Sequence, residues 1–336
     1  MSKQLPRITV ITLGGTIASV PDAHGNDAVP KMTAEGFFDA VPQIRKLANL
    51  TSHSFRQYPS GDLSLNDILE LAALIEDMAR TQDTDGVVIT QGTDTLEETS
   101  FLLDLLLTTD LPVILTGAMR NPGLPGADGP ANLLCAVQVA AHHASRGLGP
   151  LVVFNDQIHL PRFVRKMHSA STSAFISPNA GPVGWVTEGR VRIPLRPAAR
   201  TPAVQRELIT SSRMPRVALL KLGFDADESL IQLVLQDGFD GLVIETFGGG
   251  HVPRQLMPSL TKAADKFPVV FASRTGAGEL YESTYGFPGS ERDLLAQGLL
   301  SSGILDGLKS RLLLTLLLAT GASRAEITQR FHESLS

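Results

Sequence analysis

The chain reads as an α/β protein built from two three-layer α/β domains with largely parallel sheets, a larger N-terminal one and a smaller C-terminal one. Three observations predict this. Short, β-branched apolar runs alternate with helical patterns in both halves, as strands of a parallel sheet covered on both faces do. A proline- and arginine-rich stretch of weak periodicity separates the halves. The 336 residues are enough for two separate cores.

In chain order, Ile8–Leu13, Gly86–Thr90, Pro112–Thr116 and Leu151–Asn155 are continuous apolar runs and are expected as strands. Between them, Ser64–Arg80 repeats leucines at helical spacing behind a capping-box-like Ser64 and Asp67. Leu96–Leu107 and Pro130–Ala144 are the next expected helices. Residues 156–190 are richer in polar groups and glycine and read as loops and a hairpin. The pattern restarts with strand Arg216–Leu222, helix Glu228–Asp237, strand Gly241–Glu245, helix Pro253–Lys266 and strand Pro268–Ser273. A helix at Leu305–Thr320 and a short one at Arg324–Glu333 close the chain. The division expected is a domain over 1–192, a linker over 193–214 and a domain over 215–336.

Composition narrows the functional classes. The net charge of −5 offers no electrostatic reason for a nucleic acid or an anionic membrane as partner. The start MSKQLPRITV lacks the apolar core of a signal peptide, and Leu312–Ala319, the most apolar stretch, is too short to span a bilayer. The chain is therefore expected in the cytoplasm. Cys135 is the single cysteine, so no intrachain disulfide forms, and its apolar helical setting reads as a core thiol. The eight histidines show no metal-ligand spacing. No metal or organic cofactor is expected.

Two segments carry the chemistry. Thr12–Ser19 (TLGGTIAS) and the TQGTDT run at 90–95 each place a threonine just beyond an apolar strand. In a parallel sheet such positions line the ligand crevice, so Thr16 and Thr93 are placed to face one substrate. Neighbouring glycines let backbone N–H groups approach a ligand, and Asp94 adds a charge. The bland readings are a strand-to-helix turn at Gly14-Gly15-Thr16 and a helix cap at Thr93 or Asp94. Two hydroxyls and a carboxylate within three residues exceed what a cap needs. No Gly-Lys-Ser/Thr follows the glycines and no Gly-x-Ser-x-Gly occurs, which argues against a phosphate loop and a serine hydrolase. Lys166, in the basic run Arg162–His168, reads from the residues alone as part of a solvated face.

TLGGTIAS, VITQGTDTLEET at 88–99 and PVILTGAMRNP at 112–122 together resemble the bacterial-type L-asparaginase/glutaminase family. The similarity continues through GADGPANLLCAV, VVFNDQIHLPRFVRK and SPNAGPVG, and so spans nearly the whole chain. The resemblance implies two α/β domains and a homotetramer of intimate dimers, with sites between the N-terminal domain of one subunit and the C-terminal domain of its neighbour. It implies Thr16 as nucleophile, with Thr93 and Lys166 as the supporting threonine and lysine. Asp94 is then the carboxylate for the substrate amine, and Ser60 holds the substrate α-carboxylate. Gly15, Gly61 and Gly92 join the substrate site, and Ala118 supplies a backbone carbonyl near the leaving nitrogen. These roles suit the chemistry: a threonine hydroxyl is a weak nucleophile that needs a base, and backbone N–H groups beside Gly15 and Gly92 suit an oxyanion hole.

Departures from the family pattern bear on the substrate. The loop Ser19–Ala34 has no tyrosine, the usual Ser-Gln pair is Ser60-Gly61, and Gln91 and Leu13 replace a common histidine and threonine. The turn Gly248–His251 lacks the expected asparagine. Tyr281 or Tyr285 is expected to reach a neighbour's site in place of the loop tyrosine, with Glu279 and Glu282 as candidates for the cross-subunit acidic contact. The activity implied is release of ammonia from a small-molecule amide, L-asparagine first and L-glutamine second, through an acyl-threonine. The alternatives are a different or larger amide, and a non-catalytic amino-acid binder.

Overall fold

The computed structural model describes residues 4–15, 19–21, 28–30, 38–39, 41–209 and 213–333. The chain divides into two compact units, Met1–Ala203 and Val204–Ser336.

In the first unit the strands are β1 (Arg7–Thr12), β2 (Ser19–Pro21), β3 (Ala28–Pro30), β4 (Asn49–Ser54), β5 (Gly86–Thr90), β6 (Val113–Thr116), β7 (Pro150–Phe154), β8 (Gln157–His159), β9 (Arg165–Lys166), β10 (Phe175–Ile176), β11 (Gly184–Thr187) and β12 (Arg190–Arg192). Eight of them form one sheet in the order β12-β11-β8-β7-β6-β5-β1-β4. The segment from β4 to β7 is parallel. The extension through β8, β11 and β12 is antiparallel. Thus residues 156–190, expected as loops and a hairpin, also widen the main sheet. Their strands are only a few residues long and polar at alternate positions, so no apolar run marks them.

β1, β5, β6 and β7 are buried nearly throughout because helices cover both faces. β4 was not expected at all. Its sequence, NLTSHS, lies at the sheet edge and is largely exposed, so it has no apolar signature. The helix Leu65–Thr81 starts where the sequence indicates. The Ser64 hydroxyl accepts the Asp67 N–H, and the Asp67 carboxylate accepts the Ser64 N–H. The helix Leu96–Leu106 is buried along almost its whole length. The expected helix Pro130–Ala144 ends early, at Ala140, and a short 3-10 turn at His143–Ser145 follows. There the Ser145 hydroxyl donates to the Val139 carbonyl and helps close the helix end.

The second unit holds a parallel sheet, β13 (Val217–Lys221), β14 (Gly241–Thr246), β15 (Val269–Ser273) and β16 (Leu300–Ser301), in that order. Helices Ser229–Gln236, Met257–Lys266, Glu291–Ala296, Gly307–Ala319 and Arg324–Glu333 accompany it. Ile244, Phe271, Leu260 and Leu294 are fully buried in its core. Burial of side chains of this size stabilises by about 1.5–3 kcal/mol each. Among the described residues no helix is long and apolar enough to cross a membrane.

Candidate active site

The site gathers at the carboxyl ends of β1, β4, β5 and β6, where a parallel sheet exposes backbone and loop groups to a ligand. β1 leads into Gly14 and Gly15, both with positive φ. A Cβ on Gly15 would sit 2.1 Å from the Gly92 nitrogen. The turn beyond β1 therefore lies directly on the turn beyond β5, and only glycine permits that approach. Thr16 lies outside the described residues, but its neighbour Gly15 is fixed against the Gln91–Gly92 backbone.

Ser60 enters from the 3-10 turn Ser60–Asp62 that follows β4. It is buried, and a Cβ on Gly92 would come within 2.8 Å of its Oγ. A short relay holds this turn. Gln91 Nε2 donates to Thr95 Oγ1 at 3.0 Å, and Thr95 Oγ1 donates to the Ser60 carbonyl at 2.9 Å. Gly61, beside Ser60, faces open space: nothing lies within 4 Å of the Cβ it lacks.

Thr93 and Asp94 open the 3-10 turn Thr93–Thr95, which runs into the helix Leu96–Leu106. Thr93 is buried, and Lys166 Nζ donates to its Oγ1 at 2.8 Å. The same Nζ contacts Asp94 Oδ1 at 2.6 Å. The Lys166 side chain is only 14% exposed, whereas that of Asp94 is 80% exposed. Lys166 is therefore not on a solvated face, contrary to what its basic neighbourhood suggests. It comes from β9, which pairs with β10 outside the main sheet, and its backbone N–H donates to Glu97 Oε1 at 3.4 Å.

Ala118 lies buried in the loop after β6. The Asp128 carboxylate accepts the N–H groups of Met119 and Arg120, and Asn132 Nδ2 donates to the Gly117 carbonyl at 3.0 Å. Asp128 and Asn132 thus clamp the loop whose Ala118 carbonyl the resemblance singles out. A role for either was not foreseen, although both stand in the GADGPANLLCAV run.

Tyr281 and Tyr285 belong to the second unit, with their ring centroids 6.2 Å apart and both side chains well exposed. His251 meets the Tyr285 ring edge-on at 5.0 Å. Beneath them lies fully buried Glu291, whose Oε1 accepts the Tyr285 N–H at 2.5 Å. Burial disfavours its carboxylate, yet the N–H groups of Tyr285, Glu291 and Thr284, with His251 nearby, hold its carboxyl below the usual range. Glu279 and Glu282 flank Tyr281 in sequence. Among the described residues no group of three or more His, Cys, Asp or Glu is arranged to hold a metal ion.

Two α/β units, the first with hydroxyl, lysine and carboxylate groups collected at the carboxyl ends of its parallel strands, mark an α/β protein whose site suits acyl transfer on a small ligand. The description "Asparaginase, N-terminal" matches residues 7–199, and "Glutaminase/Asparaginase C-terminal domain" matches residues 216–331. The chain belongs to the asparaginase family. It is 37% identical to the "Probable L-asparaginase" of Deinococcus radiodurans, over 100% of both chains. It is 34% identical to "L-asparaginase 2" of Escherichia coli K12, over 98% of this chain and 93% of that one. Its structure resembles that of the "Probable Cytoplasmic L-asparaginase" from Campylobacter jejuni, with a TM-score of 0.86 and 30% identity. That match covers 97% of this chain and 99% of the other.

Proposed function

We propose that this chain releases ammonia from L-asparagine, with L-glutamine as the second substrate to try, through an acyl-threonine formed on Thr16. The observation that carries the reading is the 2.8 Å contact of Lys166 Nζ with Thr93 Oγ1, beside Asp94 and against a glycine floor. An amino-acid binder would use Asp94 and Ser60 but would have no need of a lysine-supported threonine.

In the proposed reaction the Thr16 hydroxyl oxygen attacks the side-chain amide carbon as its proton passes to the Thr93 oxygen. The Thr93 proton passes in turn to the lone pair of Lys166 Nζ, which takes part in this step as the amine. Backbone N–H groups of the Gly15–Thr16 and Gly92–Thr93 turns stabilise the oxyanion. The tetrahedral species collapses, the C–N bond breaks, and the nitrogen leaves as ammonia after taking up the proton that came from Thr16. Water then attacks the ester, freeing the carboxylate product and the Thr16 hydroxyl. Asp94 and Ser60 hold the amino-acid end of the substrate and so align the amide for attack. No cofactor enters these steps.

The two-unit division is read functionally as an N-terminal domain over 1–192 that carries both threonines, a linker over 193–214 and a C-terminal domain over 215–336. A homotetramer of intimate dimers is proposed, in which Tyr281 or Tyr285 of a neighbouring subunit takes the place of the absent loop tyrosine and Glu279 or Glu282 supplies an acidic contact. The exposure of both tyrosines supports that reading. Full turnover by both the Tyr281→Phe and Tyr285→Phe variants would remove it. A cytoplasmic location is also proposed, supported by the name of the Campylobacter jejuni relative, and cell fractionation tests it.

Gly61 favours a second reading, hydrolysis of a different or larger amide, because space stands open where the family carries a side-chain amide. The experiment is ammonia release across L-asparagine, L-glutamine and N-substituted amides. A rate highest for asparagine supports the first reading, and a clear preference for a bulkier amide supports the second.

A further inference from the structure

We propose that His159 and Ser177 are positioning residues that fasten the Lys166-bearing ribbon to the main sheet and thereby set the Lys166–Thr93 contact. The inference rests on the reading of Lys166 given above and deepens it.

Lys166 stands on β9, whose only described strand partner is β10, with Phe175 opposite Lys166 and Ile176 opposite Arg165. So short a ribbon cannot hold a side chain to hydrogen-bond tolerance by its own pairing. It is tied down just past its end. Ser177 follows β10 directly, and its Oγ lies 2.9 Å from Nδ1 of His159. His159 sits on β8, inside the eight-stranded sheet, where it pairs with Val152 of β7. A second, apolar tie lies alongside. The Phe175 ring packs on Phe154 at the end of β7, with centroids 4.7 Å apart.

His159 makes a poor choice for stability alone. It is fully buried, and its Nε2 has no hydrogen-bond partner among the described residues. Burial pushes its imidazole down to about 4, so the ring is neutral near pH 7 and acts by geometry, not charge. A buried polar atom left unpartnered is a net cost that a leucine of similar size would avoid. What the imidazole supplies in return is one directed bond to the strand end that locates Lys166. A loss of that bond lets Lys166 Nζ drift from Thr93, and small misplacements of a reacting group are expensive in rate.

The test compares Ser177→Ala, His159→Leu, His159→Asn and Lys166→Met in full-length protein, with L-asparagine as substrate. Ser177→Ala and His159→Leu are expected to lower kcat by about tenfold while KM stays within about twofold. The thermal midpoint of His159→Leu should match or exceed wild type, whereas Ser177→Ala, which strips the buried His159 Nδ1 of its partner, should lose a few degrees. A loss of kcat at unchanged KM in both is what a merely structural role would not give. His159→Asn, which keeps a polar group near the Nδ1 position, should recover most of the rate. Amide hydrogen exchange in Ser177→Ala should accelerate over 163–176 and not in β5 or β6. Wild-type kcat in both Ser177→Ala and His159→Leu, with Lys166→Met inactive, would overturn the proposal and leave the role of Lys166 standing. A fully active Lys166→Met would overturn both.

Discussion

Lys166 and Thr93, 73 residues apart in sequence, meet at 2.8 Å between Nζ and Oγ1, and the same Nζ reaches Asp94 at 2.6 Å. One lysine thus links a buried hydroxyl to a carboxylate at the solvent rim. The two contacts have separable consequences. Lys166→Met should lower kcat by about 10²–10⁴-fold, the usual share of a proton-handling group. Asp94→Asn should instead act mainly through KM, raising it by about ten- to a hundredfold as a charge-assisted bond to the substrate amine is lost. Steady-state ammonia release separates the two. Equal effects on kcat and KM from both variants would contradict this division.

Gly15 and Gly61, two of the three glycines of the substrate site, respond oppositely to substitution. Gly15 has φ +88° and would place a Cβ 2.1 Å from the Gly92 nitrogen. Gly15→Ala should therefore cost about 3 kcal/mol or more, read as a drop in the urea midpoint. Gly61 faces open space, so Gly61→Gln should shift stability by no more than about 0.5 kcal/mol. It should still alter the ranking of amides by size, because it fills the gap beside Ser60. An unchanged ranking would argue that Gly61 does not face the substrate.

Burial of His159 makes stability fall with acid. Its imidazole is held near 4 in the folded chain against 6.5 when free, so the unfolded chain binds more protons between those values. Its effect on stability is flat above pH 6.5, destabilises as pH falls toward 4, and is flat again below. His142, lowered by burial with His143 and Arg192 near it, acts in the same direction. Urea midpoints of wild type and His159→Leu should thus diverge on acidification, the variant gaining about 2 kcal/mol relative to wild type by about pH 5. A constant difference from neutral to acid pH would contradict the assignment.

Cys135 is buried and donates to Asp156 Oδ1 at 3.3 Å. Burial, then the Asp156 contact, pushes its thiol up to about 12. Because the thiolate is the reactive form, Cys135 should resist an aromatic disulfide reagent in the native protein and react fully once unfolded. Rapid native labelling would show that its surroundings are open.

Much of the fold was legible because its parallel strands are buried on both faces and must be written in apolar residues. Gly86–Thr90 and Gly241–Thr246 are examples. β4 was not legible, since an edge strand written NLTSHS carries no such mark. The site divides the same way. Gly15, Ser60, Gly92, Thr93 and Asp94 stand in short motifs at strand ends. Lys166 does not: the residues around it read alone as a solvated face, and only the resemblance through VVFNDQIHLPRFVRK gives it a role, because its contact with Thr93 comes from a ribbon outside the main sheet. Gln91, Thr95, Asp128 and Asn132 act on backbone groups of neighbouring turns, a role that depends on tertiary placement and leaves no local signal.

The central claim is hydrolysis at Thr16, and ammonia release from L-asparagine by wild type and Thr16→Ala, measured side by side, tests it most directly. The account predicts steady turnover by wild type and a loss of at least about 10³-fold in Thr16→Ala, with substrate still bound. Binding without ammonia release by wild type, or undiminished release by Thr16→Ala, would contradict it.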